Sequence, residues 1–191
     1  MTKDEIRKKY EELVCSFSEN FKGFKLDRVE SRLNEYANKC AELKTQEAHH
    51  LCDNNKELKR IKNGRRGEMA VEALLNIDIC DWTVGDSSIY NYPDIPGYNV
   101  GIKTSEKWNF PVIPKNNTYP QIICVVNDKN PNHVFVCGLA TSDILNKYQN
   151  DDFIVDQNLR QRGVKTCFYG FEHLIPITSL KDIEKYKRAT N

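Results

Sequence analysis

Between Lys3 and about Phe21 the apolar residues Ile6, Tyr10, Leu13, Val14 and Phe17 recur at steps of three and four, with charged residues between them. At 3.6 residues per turn such positions line up as one stripe, so the spacing predicts a helix with a single buried face. The run Phe21-Lys22-Gly23-Phe24 interrupts it, and a longer helical pattern follows from about Leu26 to His50, carried by Val29, Leu33, Tyr36, Cys40 and Leu43. These two stretches are expected to pair as an antiparallel hairpin that braces the core or forms the seam of a homodimer. A third helix is expected to open near Arg65, after the Asn63-Gly64 pair, with Met69, Val71, Ala73, Leu74 and Leu75 on its apolar side.

Beyond this point the texture becomes that of strands. Residues 77–84, 94–103, 121–126 and 134–137 read as extended, separated by turn formers at 85–88, 127–128 and 130–132. Ile122 to Val126 is unbroken apolar sequence, which suits a strand covered on both faces. Thr141 to Tyr148 reads as a short helix capped by Thr141 or Ser142, and Thr166 to Ile177 as extended again. The succession predicts an α/β fold with a mixed central sheet flanked by helices. It divides into an N-terminal helical arm, residues 1–58, and a core domain, residues 59–191.

The 191 residues are 39% hydrophobic and 29% charged, an ordinary globular profile with enough apolar content for one core. A formal net charge of +1 makes no bulk argument for a polyanionic partner. Its distribution says more, because residues 1–66 carry 16 basic against 12 acidic side chains and residues 67–191 carry 12 against 15. The excess concentrates in a collar of Lys56, Lys59, Arg60, Lys62, Arg65 and Arg66, opposed there by Glu57 alone. Seven scattered cysteines, without a CxxC pair or a zinc-type His spacing, argue against a disulfide framework and for a reducing, cytoplasmic setting. No apolar stretch approaches the roughly 18 residues of a membrane span, so no membrane association is expected. Gly64-Arg65-Arg66-Gly67 lacks the Lys-Ser/Thr of a phosphate-binding loop, so no nucleotide cofactor is expected. His49, His50, His133 and His173 are read as surface or structural residues.

The candidate chemistry lies in three pieces taken in order: Gly64-Arg-Arg-Gly67-Glu68 on a helix, Pro93-Asp94-Ile95, and Val100-Gly101-Ile102-Lys103 on a strand. Together, over about residues 60–137, they resemble the PD-(D/E)xK nuclease superfamily, in particular the branch with a G-x-x-x-E helix found in archaeal-type Holliday junction resolvases. The resemblance implies a restriction endonuclease-like core and a metal-dependent endonuclease acting on DNA, with Mg²⁺ or Mn²⁺ as cofactor. It implies Glu68 and Asp94 as acidic metal ligands and Lys103 as the residue that positions or activates the attacking water. Hard divalent cations prefer oxygen ligands, and the backbone carbonyl of Ile102 is a further donor. A lysine beside the phosphate would stabilise charge that develops in the transition state.

Position 101 departs from the pattern, since glycine stands where the family has an acid. Glu72, one helical turn after Glu68, is the leading substitute ligand, and Asp86 is a further one. Glu106 lies an odd number of residues from Lys103 and is expected on the opposite face. If no substitute reaches the metal, the alternative is a degenerate nuclease fold that binds DNA or a protein without cutting. Lys59, Arg60, Lys62, Arg65 and Arg66 are the expected contacts to the nucleic-acid backbone. Lys107, Trp108 and Lys115, and Arg160, Arg162 and Lys165 before the aromatic run ending at Phe171, are secondary candidates, although that run suits a core strand better.

Overall fold

A computed structural model describes residues 1–14, 21–47, 54–83 and 93–188. Helix α1 spans Lys3–Val14 and opens on a reciprocal cap: the Thr2 N–H donates to Glu5 Oε2 at 2.8 Å and the Glu5 N–H to Thr2 Oγ1 at 3.3 Å. Ile6, Tyr10 and Val14 form its buried stripe. Strand β1, Lys22–Lys25, follows, then α2, Glu30–Glu47, and α3, Asn54–Leu75. The remaining strands are β2 (Gly101–Glu106), β3 (Val112–Pro114), β4 (Gln121–Val126), β5 (His133–Ala140), β6 (Gln149–Asn150) and β7 (Lys165–Phe168). Two short helices complete the set, α4, Ser142–Lys147, and α5, Gln157–Gln161. The Thr141 side chain caps α4 by accepting from the Ile144 N–H.

The main sheet has the order β1-β5-β4-β2 and is mixed, with β2 parallel to β4 and the other pairs antiparallel. All six residues of β4 are buried, and its side chains alternate between two cores. Ile122, Cys124 and Val126 face the core under α3, with Ala70, Val71 and Leu75. Ile123 and Val125 face the other, with Ile6, Tyr10, Phe110, Phe168 and Phe171. A second sheet, β3-β7-β6, lies on that second side, built around Ile113 and Cys167.

Several expectations are corrected here. Helices α1 and α2 do not pair as a hairpin: α1 packs on one face of the sheet, while α2 lies against α3 on the other. Between them the chain supplies β1 as an edge strand against β5, because Phe24 has an apolar face to join. Helix α3 begins at Asn54 and runs through Asn63-Gly64, so Arg65 to Glu68 stand in mid-helix, with no free N–H groups to offer a phosphate. A single glycine costs a helix about 1 kcal/mol, and the helix formers on either side outweigh it.

Residues 77–83 form no strand. The C-terminal end of α3 takes up their backbone donors instead, Ile77 N–H to Glu72 O and Ile79 N–H to Glu72 Oε1, both at 3.4 Å. The strand expected over 94–103 is a turn up to Asn99, enforced by Pro96 and by Gly97 at φ 77°, and β2 proper starts at Gly101. After β7 the chain leaves the extended form for a short 3-10 turn at Phe171–His173. No helix among the described residues is long and apolar enough to cross a membrane. Cys40, Cys80, Cys124, Cys137 and Cys167 are free thiols.

Candidate active site

The site is set by how closely α3 crosses β2. Gly67 packs directly on Thr104, where a β-carbon at 67 would lie 1.9 Å from Thr104 Oγ1. The Gly67 carbonyl also lies 3.9 Å from the Cys124 thiol. This contact brings the next residue, Glu68, to the sheet. Burial pushes the Glu68 carboxyl up to about 7; the charges of Asp94 and Glu72 add to the rise, and the ion pair with Arg65 opposes it.

Asp94 reaches the same strand from the turn before it. Its Oδ2 accepts from the Ile102 N–H at 2.5 Å and would lie 3.3 Å from a β-carbon at 101. Burial raises this carboxyl too, against the pull of the Ile102 N–H and the Lys103 charge. That hydrogen bond also orients the backbone. The N–H and C=O of one strand residue point to the same side, and among the described residues β2 is paired only with β4. Because the Ile102 N–H turns away from β4 to Asp94, its carbonyl faces away from β4 as well and lies outside the β2–β4 ladder.

Lys103 follows, and its side-chain amine makes no hydrogen bond or ion pair with any described residue. Burial pulls its amine down to about 8, with the positive charges of Lys165 and Arg60 adding to the fall and Asp94 opposing it. Asp94 links the three residues singled out in the sequence, since its charge acts on both Glu68 and Lys103, while Glu68 comes from α3 on one face of the sheet and the Lys103 side chain leaves β2 on the other, beside Cys167. Glu72 is turned elsewhere, to the Ile79 N–H at 3.4 Å. Glu106 pairs with Lys59 of α3 at 2.6 Å, on the face opposite Lys103. Asp86, His49 and His50 lie outside the described residues.

The structure divides the five collar cations expected to contact nucleic acid. Lys59, Arg60 and Lys62 stay at the outer surface or near it, although Arg60 grips Glu57 and Lys62 donates to Asn34 Oδ1 at 3.1 Å. Arg65 and Arg66 are buried. Arg65 binds Glu68 and the Tyr36 hydroxyl, and Arg66 binds Glu30, Asn63 and Asn132. Of the secondary candidates, Trp108 lies between Arg7 and Lys107, each 4.6 Å from its ring, and donates to Asp128. Lys115 and Arg160 are paired with Asp151 and Asp152, and Phe168 and Phe171 belong to the core.

Tyr119 is the residue that the sequence did not reveal. A β-carbon at 101 would lie 2.9 Å from Tyr119 Cε2, so this ring fills the volume that an acidic side chain at 101 would need. Parallel pairing of Gly101 with Gln121 brings the two together, and nothing in the local sequence announces that register.

Among the described residues no group of three His, Cys, Asp or Glu side chains is placed to hold a metal. Two carboxylates and a carbonyl outside the ladder remain, and these suit a small hard cation. Mg²⁺ takes one or two protein carboxylates and fills its other positions with water and substrate oxygens. Comparison of the chain with known protein families, with characterised proteins and with solved structures finds no match.

Proposed function

We propose that the protein is a metal-dependent endonuclease that hydrolyses phosphodiester bonds in DNA, with a core of the restriction endonuclease type. The observation that carries this reading is the approach of two mutually repelling carboxyls, Glu68 and Asp94, at the start of β2, with the Lys103 amine, unpartnered among the described residues, near enough to Asp94 for their charges to act on each other. Like charges are held together at a cost, and a site that receives a divalent cation recovers that cost. Glu68, Asp94 and the Ile102 carbonyl would hold Mg²⁺ or Mn²⁺, which when bound neutralises phosphoryl charge and makes water acidic enough to attack. Lys103 holds the attacking water and stabilises the charge that grows on the phosphate. Asp94, tied to the Ile102 N–H, keeps the carbonyl and the carboxylate in one fixed relation. Lys59, Arg60 and Lys62 supply the outer contacts to the DNA backbone, and a two-fold dimer would set two such centres against the two strands of a duplex. The test is metal-dependent cleavage that disappears in Lys103→Ala while DNA binding persists.

One observation favours a second reading. The Tyr119 ring stands where the third acid would be, which leaves a two-carboxylate site suited to a protein of this fold that binds DNA or a protein without cutting it. That reading predicts DNA or protein binding with no cleavage under any metal.

A further inference from the structure

The sequence alone marks Arg65 as a contact for nucleic acid, yet it is only 8% exposed and its partners lie inside the chain. One terminal nitrogen donates to Glu68 Oε2 and the other to the Tyr36 hydroxyl on α2. Its guanidinium carbon lies 4.3 Å from the centre of the Tyr36 ring and 5.5 Å from that of Trp82. Those two rings meet edge to face at 5.7 Å, and Arg32 of α2 covers Trp82 from 4.0 Å. The guanidinium is therefore held between α2, α3 and the segment after α3. A planar fork held in this way leaves its carboxylate partner little freedom.

We infer that Arg65 is a positioning residue that fixes the Glu68 carboxylate for metal binding, with Tyr36 of α2 as its anchor. The inference rests on the metal-site reading above. By taking Oε2, Arg65 leaves Oε1 of Glu68 as the oxygen available to a cation. Tyr36 fixes the other branch of the fork, so the first helix packed on α3 takes part in setting the site. Partners of metal ligands typically change metal affinity 10- to 100-fold when removed. Lysine at 65 keeps the charge but lacks the planar fork that holds Glu68 and Tyr36 in two fixed directions.

The experiment is calorimetric titration of the full chain with Mn²⁺ alone, for wild type, Arg65→Lys, Tyr36→Phe and Glu68→Ala, with affinity for a DNA duplex and thermal stability measured in parallel. Wild type is expected to bind Mn²⁺ and Glu68→Ala to lose it. Arg65→Lys is expected to weaken it about 10-fold or more and Tyr36→Phe about 3-fold, with DNA affinity in the absence of metal within about 2-fold of wild type. Tyr36→Phe removes only a hydroxyl, so it still decides the matter if Arg65→Lys does not fold. Wild-type Mn²⁺ affinity in folded Arg65→Lys and Tyr36→Phe, even with lowered stability, would overturn the inference and leave the metal site standing. Loss of DNA affinity in Arg65→Lys with unchanged Mn²⁺ affinity would return Arg65 to the nucleic-acid interface. No Mn²⁺ binding by wild type would overturn the metal reading, and the inference with it.

Discussion

Gly67 of α3 and Thr104 of β2 are in contact so close that a β-carbon at 67 would lie 1.9 Å from Thr104 Oγ1 and 3.0 Å from its Cβ. Helix and strand can approach this far only because residue 67 has no side chain, and that approach delivers Glu68 to the strand. Gly67→Ala is expected to destabilise the chain by about 1–3 kcal/mol, as overpacking does, and to impair any activity that depends on Glu68. Gly64, one turn earlier, has nothing but its own helix backbone within 4 Å of where a β-carbon would stand, so Gly64→Ala is expected to stabilise by about 0.5–1 kcal/mol through helix propensity. Urea denaturation of both variants checks the contrast.

Glu68 and Lys103 predict opposite slopes of stability with pH. Glu68 keeps its proton up to about pH 7 in the folded chain but only to about 4.5 when unfolded, so the folded state holds the extra proton and stability falls as pH rises through that window. Lys103 loses its proton near pH 8 when folded and near 10.5 when unfolded, so stability rises with pH between those values. Denaturation at pH 5, 7.5 and 10 should show that Glu68→Gln removes part of the fall, of order 1–3 kcal/mol, and that Lys103→Met removes part of the rise.

Gly101 and Tyr119 compete for one volume. Gly101→Asp alone is expected to destabilise the chain, since its β-carbon would press on Tyr119 and its charge would join those of Asp94 and Glu68. In Gly101→Asp/Tyr119→Ala the ring is gone, and the third carboxylate is expected to raise Mn²⁺ affinity at least about 10-fold over Tyr119→Ala. Calorimetric titration of the single and double variants measures this.

The basic collar separates into inward and outward cations. Arg66→Ala strips a buried guanidinium from Glu30, Asn63 and Asn132 and is expected to cost roughly 2–5 kcal/mol of stability. Lys62→Ala is expected to change stability by less than about 0.5 kcal/mol, to weaken DNA binding and to reduce its salt dependence by about one ion. Denaturation and DNA binding at several salt concentrations distinguish the two.

The sequence made legible what depends on local period and on residue type. The buried stripe of α1 and the doubly covered β4 follow from spacing, residue type narrows the cap of α4 to Thr141 or Ser142, and Glu68, Asp94 and Lys103 are singled out by the resemblance their order carries. What it hid depends on distant partners. The switch of α1 and α2 to opposite faces turns on β1 joining β5 across more than a hundred residues. Arg65 and Glu68 are one turn apart, a spacing that offers the ion pair, but Tyr36 as its anchor requires α2 packed on α3. Residues 77–83 mimic a strand through alternating Ile77 and Ile79, while Glu72 takes up their backbone donors.

The central claim is cleavage itself, and its most direct test is incubation of supercoiled, linear, single-stranded and branched DNA with the full chain in Mg²⁺, Mn²⁺ or EDTA. Wild type, Lys103→Ala and Glu68→Ala are compared, with DNA binding measured alongside. The account predicts cutting by wild type that requires the metal, is lost in both variants, and leaves DNA binding intact in Lys103→Ala. Folded wild-type protein that binds DNA but cuts none of these substrates with either metal would contradict it.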